Sequence, residues 1–221
     1  MEENYKDEMI VIDNVNRYNE IFRLETKHPL VSIIDLTKST TWPTRAWFRY
    51  EVYALFLKNV KCGDIKYGRQ YYDYQDGTIV CFGPGQITDL ELIQNIQPNA
   101  HGLLFHPDLI RGTSLGQEIK NYSFFSYETN EALHLSEEER QIVMDCLQKI
   151  AIELNHAIDR HSRRLICTNI RLLLDYCMRF YERQFETRNK VNNDIIVRFE
   201  HLSRMFKRIV GMTPNKFRTQ T

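Results

Sequence analysis

The stretch Asp76-Gly77-Thr78-Ile79-Val80-Cys81-Phe82-Gly83-Pro84-Gly85-Gln86 sets the reading of the chain. Four apolar residues, Ile79 to Phe82, are closed by Asp-Gly on one side and Gly-Pro-Gly on the other. Glycine accepts positive φ and proline pre-sets φ for a turn, so both flanks are turn signals. An apolar run this short between turns suits a fully buried strand better than a helix.

The flanking sequence extends that reading. Trp47 to Lys58, dense in aromatic and β-branched residues, is read as a strand, as are Leu30 to Leu36, Ile65 to Tyr74 with Gly68 as a bulge or bend, and the short apolar run Gly102 to His106 ended by Pro107. Ile87 to Ile96 continues as strand or loop, Thr37 to Thr44 as loop, and Val15 to Leu24 as a short helix ended by His28-Pro29. Many short strands with frequent turns imply a barrel or sandwich. The turn-strand-turn from Asp76 to Gln86 also resembles that of cupin-type barrels, which implies a double layer of strands around a pocket.

At Ser136 the period changes. Ser136 and Glu139 form a capping box ahead of a helix whose apolar face is Ile142, Val143, Cys146, Leu147, Ile150, Ala151 and Leu154. A second helix, about 160–185, carries a broad stripe through Leu165, Ile166, Ile170, Leu173, Leu174, Cys177, Phe180 and Tyr181. Its width leaves open a homodimer interface or a wholly internal core. The polar run 188–193 is read as a linker.

Bulk properties narrow the function. The 221 residues carry 29 basic and 29 acidic side chains, so composition does not mark a polyanion binder. Five cysteines without a Cys-x-x-Cys pair argue against a zinc site or disulfide framework and for a reducing, cytoplasmic setting. The acidic N-terminus is no signal peptide, and no apolar run reaches the roughly 18 residues of a membrane span. Cupin metal sites need a His-x-His, which is missing; His101 and His106, five apart, fall on opposite strand faces. Asp35, Asp73 and Asp76 form no recognisable pair, and there is no phosphate loop or nucleophile elbow. The expectation is no catalysis, no metal and no cofactor. Tyr50, Tyr53 and Phe56 are candidates for a pocket lining, but alternation does not single out an inward set, so no effector-pocket residue is assigned.

The C-terminus carries the functional signal. In 201–221, HLSRMFKRIVGMTPNKFRTQT, Leu202, Phe206 and Ile209 or Val210 share a helix face. Gly211 sits just past a helix end, and Thr213-Pro214 suits the start of another. The first helix is basic, a shape that can enter a major groove. Ser-Arg-Met-Phe-Lys-Arg followed by Gly-Met-Thr-Pro-Asn-Lys-Phe-Arg strongly resembles the C-terminal end of the AraC/XylS regulators. The resemblance is sharp for about the last twenty residues and architectural for the rest.

It implies an effector-responsive transcription factor with a cupin-like sensor at 1–135, a dimerising helical pair at 136–187 and a helix-turn-helix domain at 194–221. DNA, a second copy and a small-molecule effector are the implied partners. His201, Ser203, Arg204, Lys207 and Arg208 are the implied DNA-binding residues. The implied fold is mainly β then α. One departure is large: the family's DNA-binding domain has two helix-turn-helix units, and the 28 residues of 194–221 hold about two helices at ~11–12 residues each. The join falls at Glu200–His201. The alternative is a non-catalytic binding or dimerisation module that no longer binds DNA.

Overall fold

A computed structural model describes residues 9–43, 45–58, 63–67, 70–71, 77–92, 97–126, 132–156 and 159–210, with backbone alone for 63–67, 70–71, 92, 186–201 and 203–210. The chain divides into two compact units, Met1–Phe180 and Tyr181–Thr221.

The first unit is mainly β, then α. Its elements in order are β1 (Met9–Ile12), α1 (Val15–Ile21), β2 (Val31–Asp35), β3 (Arg45–Tyr50), β4 (Tyr53–Lys58), β5 (Gly63–Tyr67), β6 (Gln70–Tyr71), β7 (Thr78–Phe82), β8 (Gln86–Leu92), β9 (Ala100–Phe105), α2 (Pro107–Ile110), α3 (Ser114–Glu118), β10 (Leu133–His134) and α4 (Glu137–Asn155). The helix α5 (Ser162–Val210) begins here and continues into the second unit.

Among the described residues, ten strands form two five-stranded sheets, ordered β1-β3-β8-β5-β6 and β10-β7-β4-β9-β2. All pairs are antiparallel except β1 with β3. This is a cupin-like arrangement of two layers. Among the described residues each sheet keeps two edges, so the layers do not close into a barrel.

The core lies between the layers. Ile10, Phe48 and Tyr50 from the first sheet meet Ile34, Phe56, Val80, Phe82 and Leu104 from the second, with Tyr18 and Phe22 of the α1 region closing one end. Tyr50 stacks on Phe82 at 5.1 Å and Tyr18 on Phe22 at 4.5 Å, aromatic pairs that add about 0.5–1.5 kcal/mol beyond area burial. These rings pack together in the core between the layers. Burial pushes the Tyr18 and Tyr50 hydroxyls far above their ordinary range, so both stay neutral.

The strand expected from Trp47 to Lys58 is two strands in two sheets. The bend is at Glu51-Val52, where Glu51 N–H donates to Ile12 O at 2.9 Å and Val52 is buried. Tyr50 and Tyr53 do part company as expected, but because they belong to different layers. Tyr50 turns into the core, whereas Tyr53 stacks on Phe105 at 4.9 Å outside it. Gly68, Asp73, Asp76 and Cys62 lie outside the described residues.

The capping box is present: Ser136 Oγ accepts from Glu139 N–H at 3.3 Å, and Glu139 Oε2 from Ser136 N–H at 2.8 Å. Helix α4 buries Val143, Cys146, Leu147 and Ile150. In α5 the buried positions Ile166, Ile170, Leu173, Leu174, Cys177, Phe180 and Tyr181 match the expected stripe, while Leu165 is exposed. The run 188–193, read as a linker, is helical. No Gly or Pro interrupts 162–210, so nothing local stops the helix before Gly211. Glu200 and His201 are consecutive residues of that helix.

Candidate functional site

His201, Ser203, Arg204, Lys207 and Arg208, which the family resemblance implies as DNA-binding residues, all lie in the last three turns of α5. At helical spacing, His201, Arg204 and Arg208 share one face, and Ser203 and Lys207 another. The ten residues 201–210 include Arg204, Lys207 and Arg208 and no acid. Leu202, expected on a packing face, is 62% exposed. Gly211 to Thr221, including Thr213-Pro214, the expected start of a closing helix, lie outside the described residues.

The Gly-Pro-Gly-Gln turn is built for the fold. Gln86 N–H donates to Gly83 O at 3.2 Å, and Gly85 has φ 87°, the pattern of a type II turn with Pro84 at its second position. Gln86, itself buried, accepts Gly83 N–H at Oε1 (3.0 Å) and donates from Nε2 to Phe125 O (3.0 Å). A Cβ on Gly83 would sit 2.6 Å from that same Phe125 carbonyl. The motif therefore clamps the 123–125 turn onto β7 and β8.

The histidines have separate roles. His101 stands opposite Asp35 in the β2–β9 register, with Nε2 3.6 Å from Asp35 Oδ1. His106 lies past the end of β9, where its Nδ1 accepts Asp108 N–H and caps α2. Among the described residues no three His, Cys, Asp or Glu side chains are grouped to hold a metal ion. Cys81, Cys146, Cys167 and Cys177 are free and buried, and burial raises their thiol pKa values, which keeps them protonated. No described helix is long and apolar enough to cross a membrane.

Sequence reasoning missed a groove of about 300 Å³ between the outer face of β2 and helix α4. Ile33, Met144, Leu147, Ala151 and Leu154 make its apolar walls, Asp35, Lys38 and His101 make one polar end, and Glu25, Lys27 and Gln148 also line it, with Lys27 Nζ 3.7 Å from Glu25 Oε2. Asp35 Oδ1 accepts Thr37 N–H at 3.1 Å and Thr37 Oγ1–H at 2.6 Å, and Oδ2 lies 3.1 Å from Lys38 Nζ. Burial pulls the Asp35 pKa upward, but the hydrogen bonds from Thr37 and Lys38 and the charges of His101 and Lys38 outweigh it, so the carboxyl titrates below its ordinary value. Asp35 and His101 are 66 positions apart, and strand pairing alone brings them together.

The start of α5 is tied to the strand layer's helical turns. Arg163 Nε donates to Leu109 O at 2.8 Å, and its Nη2 donates to Asp108 O and Arg111 O at 3.1 and 2.6 Å. Further along, Arg171 pairs with Glu118 at 2.7 Å, and Asp175 accepts Tyr122 O–H at 2.6 Å.

No family model and no curated protein sequence matches the chain. Solved structures do. One is the AraC-like transcriptional activator CuxR, at 12% identity and a TM-score of 0.38, over 58% of this chain and 42% of that one. Another is apo ToxT of Vibrio cholerae, in a lysine-to-alanine variant, at 11% identity and a TM-score of 0.37, over 76% of this chain and 58% of that one. The chain thus spans about half the length of each of these two structures. Likeness this distant bears on neither mechanism nor site.

Proposed function

We propose that this chain is an effector-responsive DNA-binding transcription regulator of the AraC type. The observation that carries the reading is the C-terminal sequence, Ser-Arg-Met-Phe-Lys-Arg to Gly-Met-Thr-Pro-Asn-Lys-Phe-Arg. The mainly-β-then-α order supports it, with a sensor at 1–135, a dimerising pair of helices at 136–187 and a DNA-binding tail at 194–221. In this reading Arg204 and His201 face base edges and Lys207 meets phosphates from another face; Arg208, on the face of Arg204 but a turn further along, also meets phosphates.

The missing middle of the DNA-binding domain favours a second reading, in which this 221-residue form dimerises or binds ligand but holds DNA weakly. One helix pair buries little core, and a single helix-turn-helix lacks a partner for the next groove. A gel-shift titration against the DNA upstream of its own gene, with nonspecific competitor, separates the two. Competitor-resistant binding supports the regulator as it stands; salt-sensitive, sequence-blind binding supports the second.

A further inference from the structure

We propose that the groove between β2 and α4 is a binding site for a small amphipathic amine, with its cationic head at Asp35 and its apolar body along α4. The first ground is shape. From Val31 to Asp35 the groove floor runs about 13 Å at ~3.3 Å per residue. A volume of about 300 Å³ stands at the small end of ligand cavities.

The second ground is what each end offers. Ile33, Met144, Ala151 and Leu154 are only half-buried, so a ligand body would remove apolar surface from water there. At the polar end the acid is fixed and its counterion is not. Asp35 has 22% of its side chain exposed and is held by two hydrogen bonds from Thr37, whereas Lys38 is 77% exposed on a flexible stem. His101 also turns its Nε2 toward Asp35. The carboxylate is thus a preorganised anion that already draws two cation-capable side chains. A ligand ammonium can replace Lys38 there without moving the backbone.

The site does not depend on the regulator reading, since binding is read on the chain itself. The test is calorimetric titration of the full chain with hexylamine, hexan-1-ol and hexanoate, which share one apolar body. Hexylamine is expected to saturate at a Kd of about 1 mM, with the other two roughly tenfold weaker. Asp35→Asn is expected to remove that preference. Ala151→Phe, which fills the groove, is expected to weaken hexylamine about tenfold. Lys38→Ala is expected to strengthen it, because a competing cation is gone. Hexanoate binding tighter than hexylamine, a weaker hexylamine complex in Lys38→Ala, unchanged binding in Ala151→Phe, or no saturation by any probe at 20-fold above that Kd would each overturn the proposal.

Discussion

Gly83 and Gln86 show how much two side chains decide in this chain. A methyl on Gly83 meets the Phe125 carbonyl at 2.6 Å, so the 123–125 turn must move or β7 must. Gly83→Ala is expected to lower stability by about 1–3 kcal/mol, the range for overpacking, read as a shift in urea midpoint at unchanged slope. Gln86→Leu strands a buried N–H and a buried carbonyl, for about 1–3 kcal/mol each. His28 gives a pH signature. Burial lowers its pKa from 6.5, and its Nδ1 accepts Leu30 N–H at 3.1 Å. Between the folded pKa and 6.5 the unfolded chain binds more protons, so stability is full above that window and falls as pH drops through it. Replacing His28 with Gln should flatten the stability-versus-pH curve in that window; an unchanged slope would assign the effect elsewhere.

Helix α5 carries two apolar faces with different fates. Leu173, the natural choice for a charge placed in a dimer seam, is fully buried within the first unit, so Leu173→Glu would unfold that unit rather than report on association. The face left uncovered holds Leu165 and Leu172, seven apart and 41% and 38% exposed. If the homodimer forms through α5, these are its contacts. The Leu165→Glu/Leu172→Glu double variant should sediment as a folded monomer where the unaltered chain sediments as a dimer at micromolar concentration. A monomer in both would discard the dimer. Ser136→Ala tests the other helix: loss of the capping box should lower stability by about 0.5–2 kcal/mol, seen in thermal melts followed by circular dichroism.

At the scale of the whole molecule, the proposed DNA-binding function turns on the basic end of α5. A base-edge contact by Arg contributes roughly 1–3 kcal/mol of discrimination, whereas a phosphate contact adds a salt slope of about −0.9 and no sequence preference. In a version supplied with a whole DNA-binding domain, Arg204→Ala should relax sequence preference, and Lys207→Ala should weaken binding to every sequence alike. Competition gel shifts at two salt concentrations distinguish these. Equal loss of specificity in both variants would remove the assigned roles of Arg204 and Lys207. On the second reading the 221-residue form itself should bind its own upstream DNA poorly; tight, competitor-resistant binding would discard that reading and support the regulator as it stands.

Local order was legible in the residues. The buried strand Thr78–Phe82 between glycine turns, the capping box at Ser136, the helix from Val15 and the buried stripe of α5 are each signalled within a few positions, by spacing and turn chemistry. The length of α5 was legible in part: 188–193 lacks Gly and Pro, but its Asn-rich polarity reads equally as loop, and helical continuity prevailed. Tertiary pairing decided the rest. It split Trp47–Lys58 between two sheets, packed aromatic rings into the core between the layers, and set Asp35 beside His101 to make the end of an outer groove. Those outcomes depend on which distant strands pair and in what register, and a period-two pattern leaves both open until the layers meet.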